Sequence, residues 1–597
     1  MTNPSKHSAT FTAYHLDNIG INMYNTDVNR RFAVNINMFF RKKKVSNRVY
    51  LQIVENRWEN KQCKQRVLCT LGRLDKLTES TSIDSLIKSG AKFAQTLMIL
   101  SSHKKGQSPA ISTYRIGPSL IFERLWKETG CRDVIKSLLL GRNFQFDVER
   151  AIFLTVLHRL FVSGSDRQAE RWKEGYHIDG VEHLQLHHLY RAMGWLGEEL
   201  PMRAQCYMTR YAPRCIKDLI EEELFHRKRD LFTSLDVVFF DTTSIYFEGQ
   251  GGDTLGEYGK SKDHRNDCKQ IVVGAVLDNE GRPICCEIWP GNAADVKSLI
   301  PVVDRLKKRF KIGQVCIVAD RGMISAQTIK EVERRQWKYI LGVRMRNQKE
   351  ARDKVLSNTA PYQVIHPKGQ NSKDPSPLQV KEVMIEKRRY IVCLNEDEAK
   401  KEAADREAIL CSLKEKLKKG SKALVGNKGY RRYLKSIEKG FEIDEDKIKE
   451  ESRYDGRWVL RTNTKLDAAD VALKYKELWT VENLFRSIKS IVHTRPVFHK
   501  CDETIIGHVF CSFLALVLMK ELSNRLQKKG WNLEWQDVIR DLERLEEIVV
   551  EQDDKRFLLR NESVGSCGKV FQATGVAMPP TVRQIKVDNK KEMRNEE

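Results

Sequence analysis

No stretch of this sequence is apolar for long enough to suggest a membrane span. The longest run, Val509 to Met519, is about half of the roughly 20 residues that a spanning helix needs. Charged segments flank it, so it reads as a buried core helix. The opening residues, MTNPSKHSAT, lack a basic stretch followed by an apolar one, which argues against secretion. Fourteen cysteines are scattered along the chain and none is spaced as CxxC, which removes the ligand pattern of a structural zinc site. Cys285 and Cys286 sit in an apolar strand-like segment, where cysteine behaves as a small hydrophobe. These absences point to a reducing, cytoplasmic setting. Acidic residues are also in deficit: 80 Asp and Glu stand against 104 Lys and Arg, a net charge of +24. Such an excess favours a polyanionic partner, because phosphate contacts release counterions from nucleic acid. An anionic membrane surface would attract the same charge, but no amphipathic anchor stands out.

At 597 residues the chain is too long for one compact core. Residues 1–35 are polar and unpatterned, a loose leader. Residues 36–80 read as a small β-rich element, with Arg48-Val-Tyr-Leu-Gln-Ile-Val54 alternating and the basic run Arg41-Lys-Lys-Lys44 ahead of it. That run is equally a solvated hairpin edge or a phosphate contact. From 81 to 230 the apolar spacing is helical. There Arg167, Arg171, Trp172 and Lys173, then His187, His188, Tyr190 and Arg191, lie on two helices joined by a glycine-containing loop. DNA docking and plain bundle packing both account for that pattern. Residues 231–345 hold three strands, a helix, a strand, a helix and a strand, which is a mixed α/β layer. Residues 346–465 interrupt this layer with further strands and Lys-rich helices. A long amphipathic helix from about Asp467 to Ser490 resumes the layer over 466–530. The C-terminal region, 531–597, reads as helical to about 550 and irregular beyond.

Two apolar strands run into an aspartate followed by a turn: Val-Val-Phe-Phe-Asp241 and Cys-Ile-Val-Ala-Asp320. An ionised carboxylate at the tip of an apolar strand is expensive unless paired or bound to metal. Singly, each is more often a turn or helix-capping residue. Together on neighbouring strands, they offer hard oxygen ligands suited to Mg²⁺ or Mn²⁺. A third carboxylate, Glu482, lies on a stripe with Tyr475, Trp479, Arg486 and Lys489, spaced by four, three, four and three. The adjoining stripe, Leu478, Val481, Phe485 and Ile488, is apolar enough to pack that helix on the sheet.

These segments resemble the DDE transposases of bacterial insertion sequences. The likeness is to the subgroup with a strand-rich insertion before the final glutamate and a Tyr-Arg-Glu-Lys helix signature. Gly291-Asn292…Asp295, Asp455-Gly-Arg-Trp-Val-Leu-Arg-Thr-Asn463 and Val67-Leu-Cys-Thr-Leu-Gly72 fit the same pattern, in order, across roughly 36–575. Leu478 stands where the signature has arginine. The resemblance implies an α/β chain with an RNase H-like mixed-sheet core, a β-rich insertion and a helical N-terminal region. It implies that Asp241, Asp320 and Glu482 hold two Mg²⁺ ions, Mn²⁺ being a substitute, with Asp241 bridging them. It further implies cut-and-paste cleavage and strand transfer at the element's ends. The partners would be double-stranded DNA, as terminal inverted repeats and target, bound by a homodimer on paired ends near the nucleoid. Tyr475, Lys489 and Arg486 would then contact phosphate. Trp479 serves equally as a base-stacking or a core aromatic. His264, Arg265 and Lys269 read as DNA-path residues or as a solvated loop, and the basic run Lys414 to Arg432 as a DNA cover or an exposed helix face. A nuclease without strand transfer and a DNA-binding protein with an inactive core are the competing readings.

Overall fold

The computed structural model describes residues 38–46, 48–59, 62–79, 110–162, 164–205, 213–228, 237–293, 295–311, 315–366, 377–418, 428–437, 440–490, 494, 497–552 and 555–586. The leader expected over 1–35, residues 81–109 of the helical region and much of the Lys414 to Arg432 run lie outside them. Two compact units divide the chain, Met1–Pro109 and Ala110–Glu597.

In the first unit β1 (Met38–Val45), β2 (Arg48–Glu59) and β3 (Gln62–Arg73) form an antiparallel meander, followed by α1 (Leu74–Glu79). The basic run lies inside β1, not ahead of the first strand. Arg41 donates to Gln52 and Gln65 across the sheet at 3.0 and 2.9 Å, while Lys42 to Lys44 stay exposed on this edge strand. Charges on an edge discourage pairing with another chain.

The second unit opens with β4 (Ala110–Arg115) and six helices: α2 (Gly117–Glu128), α3 (Cys131–Leu138), α4 (Val148–Phe161), α5 (Asp166–Trp172), α6 (Leu186–Gly197) and α7 (Ile216–Lys228). Within this layer Trp172 packs against the core and lies 3.8 Å from the Tyr176 ring, whereas Tyr190 and Arg191 remain exposed. Lys173 is committed to the carbonyls of Val181, Glu182 and Leu184.

Next come β5 (Val237–Tyr246), β6 (Gln270–Leu277), β7 (Pro283–Pro290), α8 (Asp295–Phe310), β8 (Cys316–Ala319), α9 (Ala326–Arg334) and β9 (Lys338–Gly342), in the order the apolar runs suggested. β5, β6 and β7 are antiparallel neighbours, and β8 and β9 add in parallel on the other side of β5. The interrupting segment contributes β10 (Gln363–Ile365), β11 (Leu378–Ile385), β12 (Arg388–Asn395), α10 (Glu396–Lys418), α11 (Lys428–Arg431), the hairpin β13 (Leu434–Ile437) and β14 (Gly440–Ile443), α12 (Glu445–Ser452) and β15 (Arg457–Thr462). Four of its strands extend the same layer, giving a nine-stranded sheet of order β10-β11-β12-β15-β9-β8-β5-β6-β7.

After it stand α13 (Ala468–Lys476), α14 (Trp479–Ser490), α15 (Asp502–Lys528) and α16 (Trp535–Glu543). β16 (Glu546–Gln552), β17 (Lys555–Arg560), α17 (Cys567–Thr574) and β18 (Val582–Lys586) follow. The expectation of an irregular end is thus corrected: these strands form a four-stranded sheet with β4, more than 400 residues earlier. By length and composition α15 could cross a membrane, but 78% of its most apolar window is buried, among α4, α6 and β7.

The central strands are buried on both faces, which is why they read as unbroken apolar runs. Phe239, Val273, Val318 and Ile340 belong to the core under α15. Their neighbours Phe240, Val272, Ile317 and Leu341 belong to the core under α8 and α9. At the β7 edge, a charge network closes the sheet. Cys286 N–H donates to Glu221 at 2.9 Å, and Lys217 Nζ donates to the Cys286 carbonyl at 2.8 Å. Arg309 on α8 lies 3.0 Å from Asp218, 2.7 Å from Glu221, 2.7 Å from Glu222 and 3.3 Å from Glu287, and Arg305 joins Asp218 and Glu287 at 3.1 and 3.4 Å. The Arg309 side chain is wholly buried. Removing one member of such a network strands the opposite charges without water. Arg309→Leu is therefore expected to cost about 3–5 kcal/mol of stability, read as a lower midpoint in urea unfolding.

Candidate active site

Strand register decides where the two aspartates stand. β5 and β8 pair from Val237↔Cys316 to Phe240↔Ala319, so the next residues along are Asp241 and Asp320. Phe239 and Val318 face the α15 side, Phe240 and Ala319 the other. Alternation then sends both aspartates toward the α15 side. Asp241 is not a strand end, contrary to expectation. β5 continues to Tyr246 because β6 goes on pairing with it after β8 has stopped.

Asp241 Oδ1 accepts the Thr242 N–H at 2.7 Å, and Lys262 Nζ lies 4.0 Å away. Burial pushes the Asp241 carboxyl up to about 6. Lys262 and the Thr242 amide pull it back, and the charges of Asp320 and Glu482 push it up again. Three carboxylates that repel one another across an apolar sheet end are a donor set of hard oxygens, which fits a divalent cation.

Asp320 does what an isolated strand-end aspartate usually does. It caps the turn Arg321–Met323, accepting from the Gly322 amide. Its Oδ1 also accepts the Tyr475 hydroxyl at 3.0 Å. Arg344 holds the turn through the carbonyls of Arg321 and Gly322, at 3.0 and 3.1 Å. Burial, then the Asp320 charge, hold the Tyr475 phenol well above its ordinary range. The phenol reaches Asp320 because residue 342 is glycine: a Cβ there would sit 2.4 Å from the Tyr475 oxygen.

The continuous helix expected from Asp467 to Ser490 is broken, and with it the five-residue stripe. α13 ends at Lys476 and α14 begins at Trp479; across the joint, Leu478 and Val481 amides reach back only three residues, to Tyr475 and Leu478. This tighter turn lets Tyr475 face Asp320 while Glu482, in the first turn of α14, lines a cavity with Asp241, Thr242, Thr243, Lys262, Phe485, Arg486 and Lys489. A carboxylate is favoured in a first turn, where amide N–H groups point toward it. The apolar stripe packs as expected: Leu478, Val481 and Phe485 are buried. The Ile488 side chain is outside the described residues. Leu478 therefore faces the core, and an arginine there would leave that packing before it could reach a phosphate.

Among the other candidates, Arg486 and Lys489 line the cavity, with Lys489 held 2.8 Å from Asp263. Trp479 is 51% exposed, so its core alternative falls. His264 is exposed at φ 59°, and Arg265 lies 2.9 Å from Asp267 with its guanidinium 5.0 Å from the Tyr246 ring. Lys262 was passed over in favour of these neighbours, since nothing in the local pattern sets one loop cation above another.

Among the described residues the tight histidine and carboxylate cluster lies elsewhere: Asp166, His499 and His508, with ligand atoms within 4.8 Å of one another. Arg159 adjoins it, lying 3.7 Å from Asp166 and 2.9 Å from His508 Nδ1 and donating to Ser512 Oγ at 2.6 Å. A fixed guanidinium already supplies the positive charge there, and the cluster ties α4 and α5 to α15.

Residues 233–518 match the transposase DDE domain, and residues 40–103 match the N-terminal domain of IS1634 family transposases. Among solved structures, the chain is similar to the piggyBac transposase synaptic complex with hairpin DNA, at 12% identity and a TM-score of 0.37, over 71% of this chain and 79% of that one. No curated protein is similar enough in sequence to match the chain.

Two outcomes follow from this geometry. The unfolded chain releases the Asp241 proton near pH 4 and the folded chain near 6. The proton therefore stabilises the fold below pH 4, and that contribution is lost as pH rises through 6. The loss amounts to about 3 kcal/mol at most. Metal-free Asp241→Asn should therefore melt above the wild type at pH 8, with the gap closing at pH 4, in calorimetric scans. Gly342→Ala should cost about 1–3 kcal/mol by overpacking, and Tyr475→Phe in the same chain should recover part of it.

Proposed function

The chain belongs to the bacterial insertion-sequence DDE transposases, enzymes that move DNA with the help of divalent metal ions, and from that premise we propose that Asp241, Asp320 and Glu482 are the residues that hold those ions. The observation that carries the reading is the β5–β8 register: it ends one residue short of both aspartates, and Glu482 lines the same cavity as Asp241. The flanking strand pattern, three antiparallel and then two parallel, supports an RNase H-like core.

Asp241, Asp320 and Glu482 together would hold the two Mg²⁺ ions, the charges of the other two carboxylates both bearing on Asp241. Bound there, such ions activate a water or a 3′-hydroxyl and stabilise the leaving oxygen. The chain's own residues do the rest. Tyr475 orients Asp320 through its hydroxyl, and Arg344 fixes the turn beneath it. Arg486 and Lys489 stand at the cavity to meet phosphate, Lys489 after exchanging Asp263 for it. Trp479, half in solvent, is available to stack on an unpaired base. The positive charge of the chain supplies the sequence-independent part of DNA affinity. The element's inverted repeats and target DNA are the substrates, engaged by a homodimer on paired ends, with cleavage followed by strand transfer.

Alanine at Asp241, Asp320 or Glu482 should each abolish Mg²⁺-dependent cutting of a duplex carrying the element's end, while end binding stays within a few-fold. Joined products in a strand-transfer assay separate a transposase from a nuclease. Normal nicking by Asp241→Ala would sink the assignment.

A further inference from the structure

The loop that joins β5 to β6 is pinned by its own side chains. Lys262 N–H donates to Ser244 Oγ at 2.8 Å and Ser261 N–H to Asn266 Oδ1 at 3.1 Å. Ser261 Oγ accepts from the amides of Asp263 and Arg265 at 3.1 and 3.2 Å. Asp263 is tied to Lys489 at 2.8 Å, and His264 takes a left-handed conformation at φ 59° that non-glycine residues seldom adopt. Backbone strain of this kind persists only where surrounding contacts enforce it.

What the pinning achieves is the aim of one side chain. Lys262 Nζ donates to the Thr242 carbonyl at 2.6 Å and to Thr242 Oγ1 at 2.9 Å, and it stands 4.0 Å from Asp241 Oδ1. It forms part of the wall of the cavity that Asp241, Glu482 and Arg486 also line. A lysine on a loose loop would turn to water, where an ammonium is best solvated. Here the backbone holds it against a carboxylate that must also receive a divalent cation, a placement that works against metal binding unless the ammonium has a second task. A phosphodiester brought to those carboxylates carries a negative charge into the same space.

We propose that Lys262 binds a non-bridging oxygen of the scissile phosphate and stabilises the charge that gathers on it during cleavage. In that step the oxygen of water bonds to phosphorus, the bond from phosphorus to the 3′ oxygen breaks, and a proton from the water ends on the released 3′-hydroxyl. The second task answers the first cost: with substrate present the ammonium faces phosphate as well as Asp241. Donors fixed before reaction are worth most where charge develops, because nothing needs to reorganise. This rests on the reading of Asp241, Asp320 and Glu482 as the transposase centre.

The test compares full-length wild type, Lys262→Ala and Lys262→Arg on a duplex carrying the element's terminal repeat. Single-turnover cleavage is followed across Mn²⁺ concentrations, and duplex affinity is measured in Ca²⁺. The alanine variant should cut on the order of 100-fold more slowly, with affinity and Mn²⁺ half-saturation close to wild type, and arginine should restore most of the rate. Should the alanine variant melt early, Lys262→Gln, which keeps an amide for Thr242, takes its place with the same expected loss. Wild-type rates without the lysine would overturn the proposal. So would full recovery at high Mn²⁺, since that assigns Lys262 to the metal site alone. A wild-type chain that fails to cut would overturn the reading of the centre itself, whatever the variants do.

Discussion

Parallel pairing of β5 with β8 is the constraint on which the site depends. It stops at Phe240 and Ala319, and alternation along each strand turns the next residue of both toward the same side. A slip of one residue would send one aspartate to the face covered by α8 and α9, into the apolar core of Phe240, Ile317 and Leu341. Register is fixed by the apolar faces themselves: Phe239 and Val318 must meet one core, Phe240 and Ala319 the other. The geometry of the carboxylates is thus a by-product of burying a sheet on both sides.

That arrangement holds charge where charge is unfavourable, and the fold answers with a cation, a hydroxyl and a helix N-terminus at fixed places. Lys262 stands near Asp241, the Tyr475 hydroxyl meets Asp320, and the Glu482 carboxylate sits in the first turn of α14. The break between α13 and α14 is what lets one stretch of chain serve two aspartates at once. Far from the site the same logic recurs at the β7 edge, where the buried Arg309 and Arg305 balance Asp218, Glu221 and Glu287. There the charges close a sheet edge. At the site they line an open cavity.

Much of this was legible in the sequence, and for a physical reason. Strands buried on both faces are long apolar runs, so β5 to β9 and their order were visible, as was the apolar stripe that seats α14. What depended on distant partners was not. β16 to β18 pair with one another and with β4 across more than 400 residues, and their short polar-flanked runs carry no local mark of it. The length of β5 beyond Asp241 depends on β6 outlasting β8. Tyr475 seemed to share a stripe with Glu482, because spacing alone cannot register a tighter turn at Leu478. Gly342 and Lys262 act through space, the one by lacking a Cβ under Tyr475 and the other by the folding of its loop.

We propose Asp241, Asp320 and Glu482 as the metal centre, and not the Asp166, His499 and His508 cluster. Iron-directed backbone cleavage asks this without relying on transposition. Fe²⁺ replaces Mg²⁺ in the full-length protein, ascorbate and peroxide generate hydroxyl radicals at the bound ion, and the fragments are mapped. Cuts are expected beside residues 241, 320 and 482, suppressed by excess Mg²⁺ and absent in Asp241→Asn. Cuts beside 166, 499 and 508, or a pattern unchanged in that variant, would contradict it.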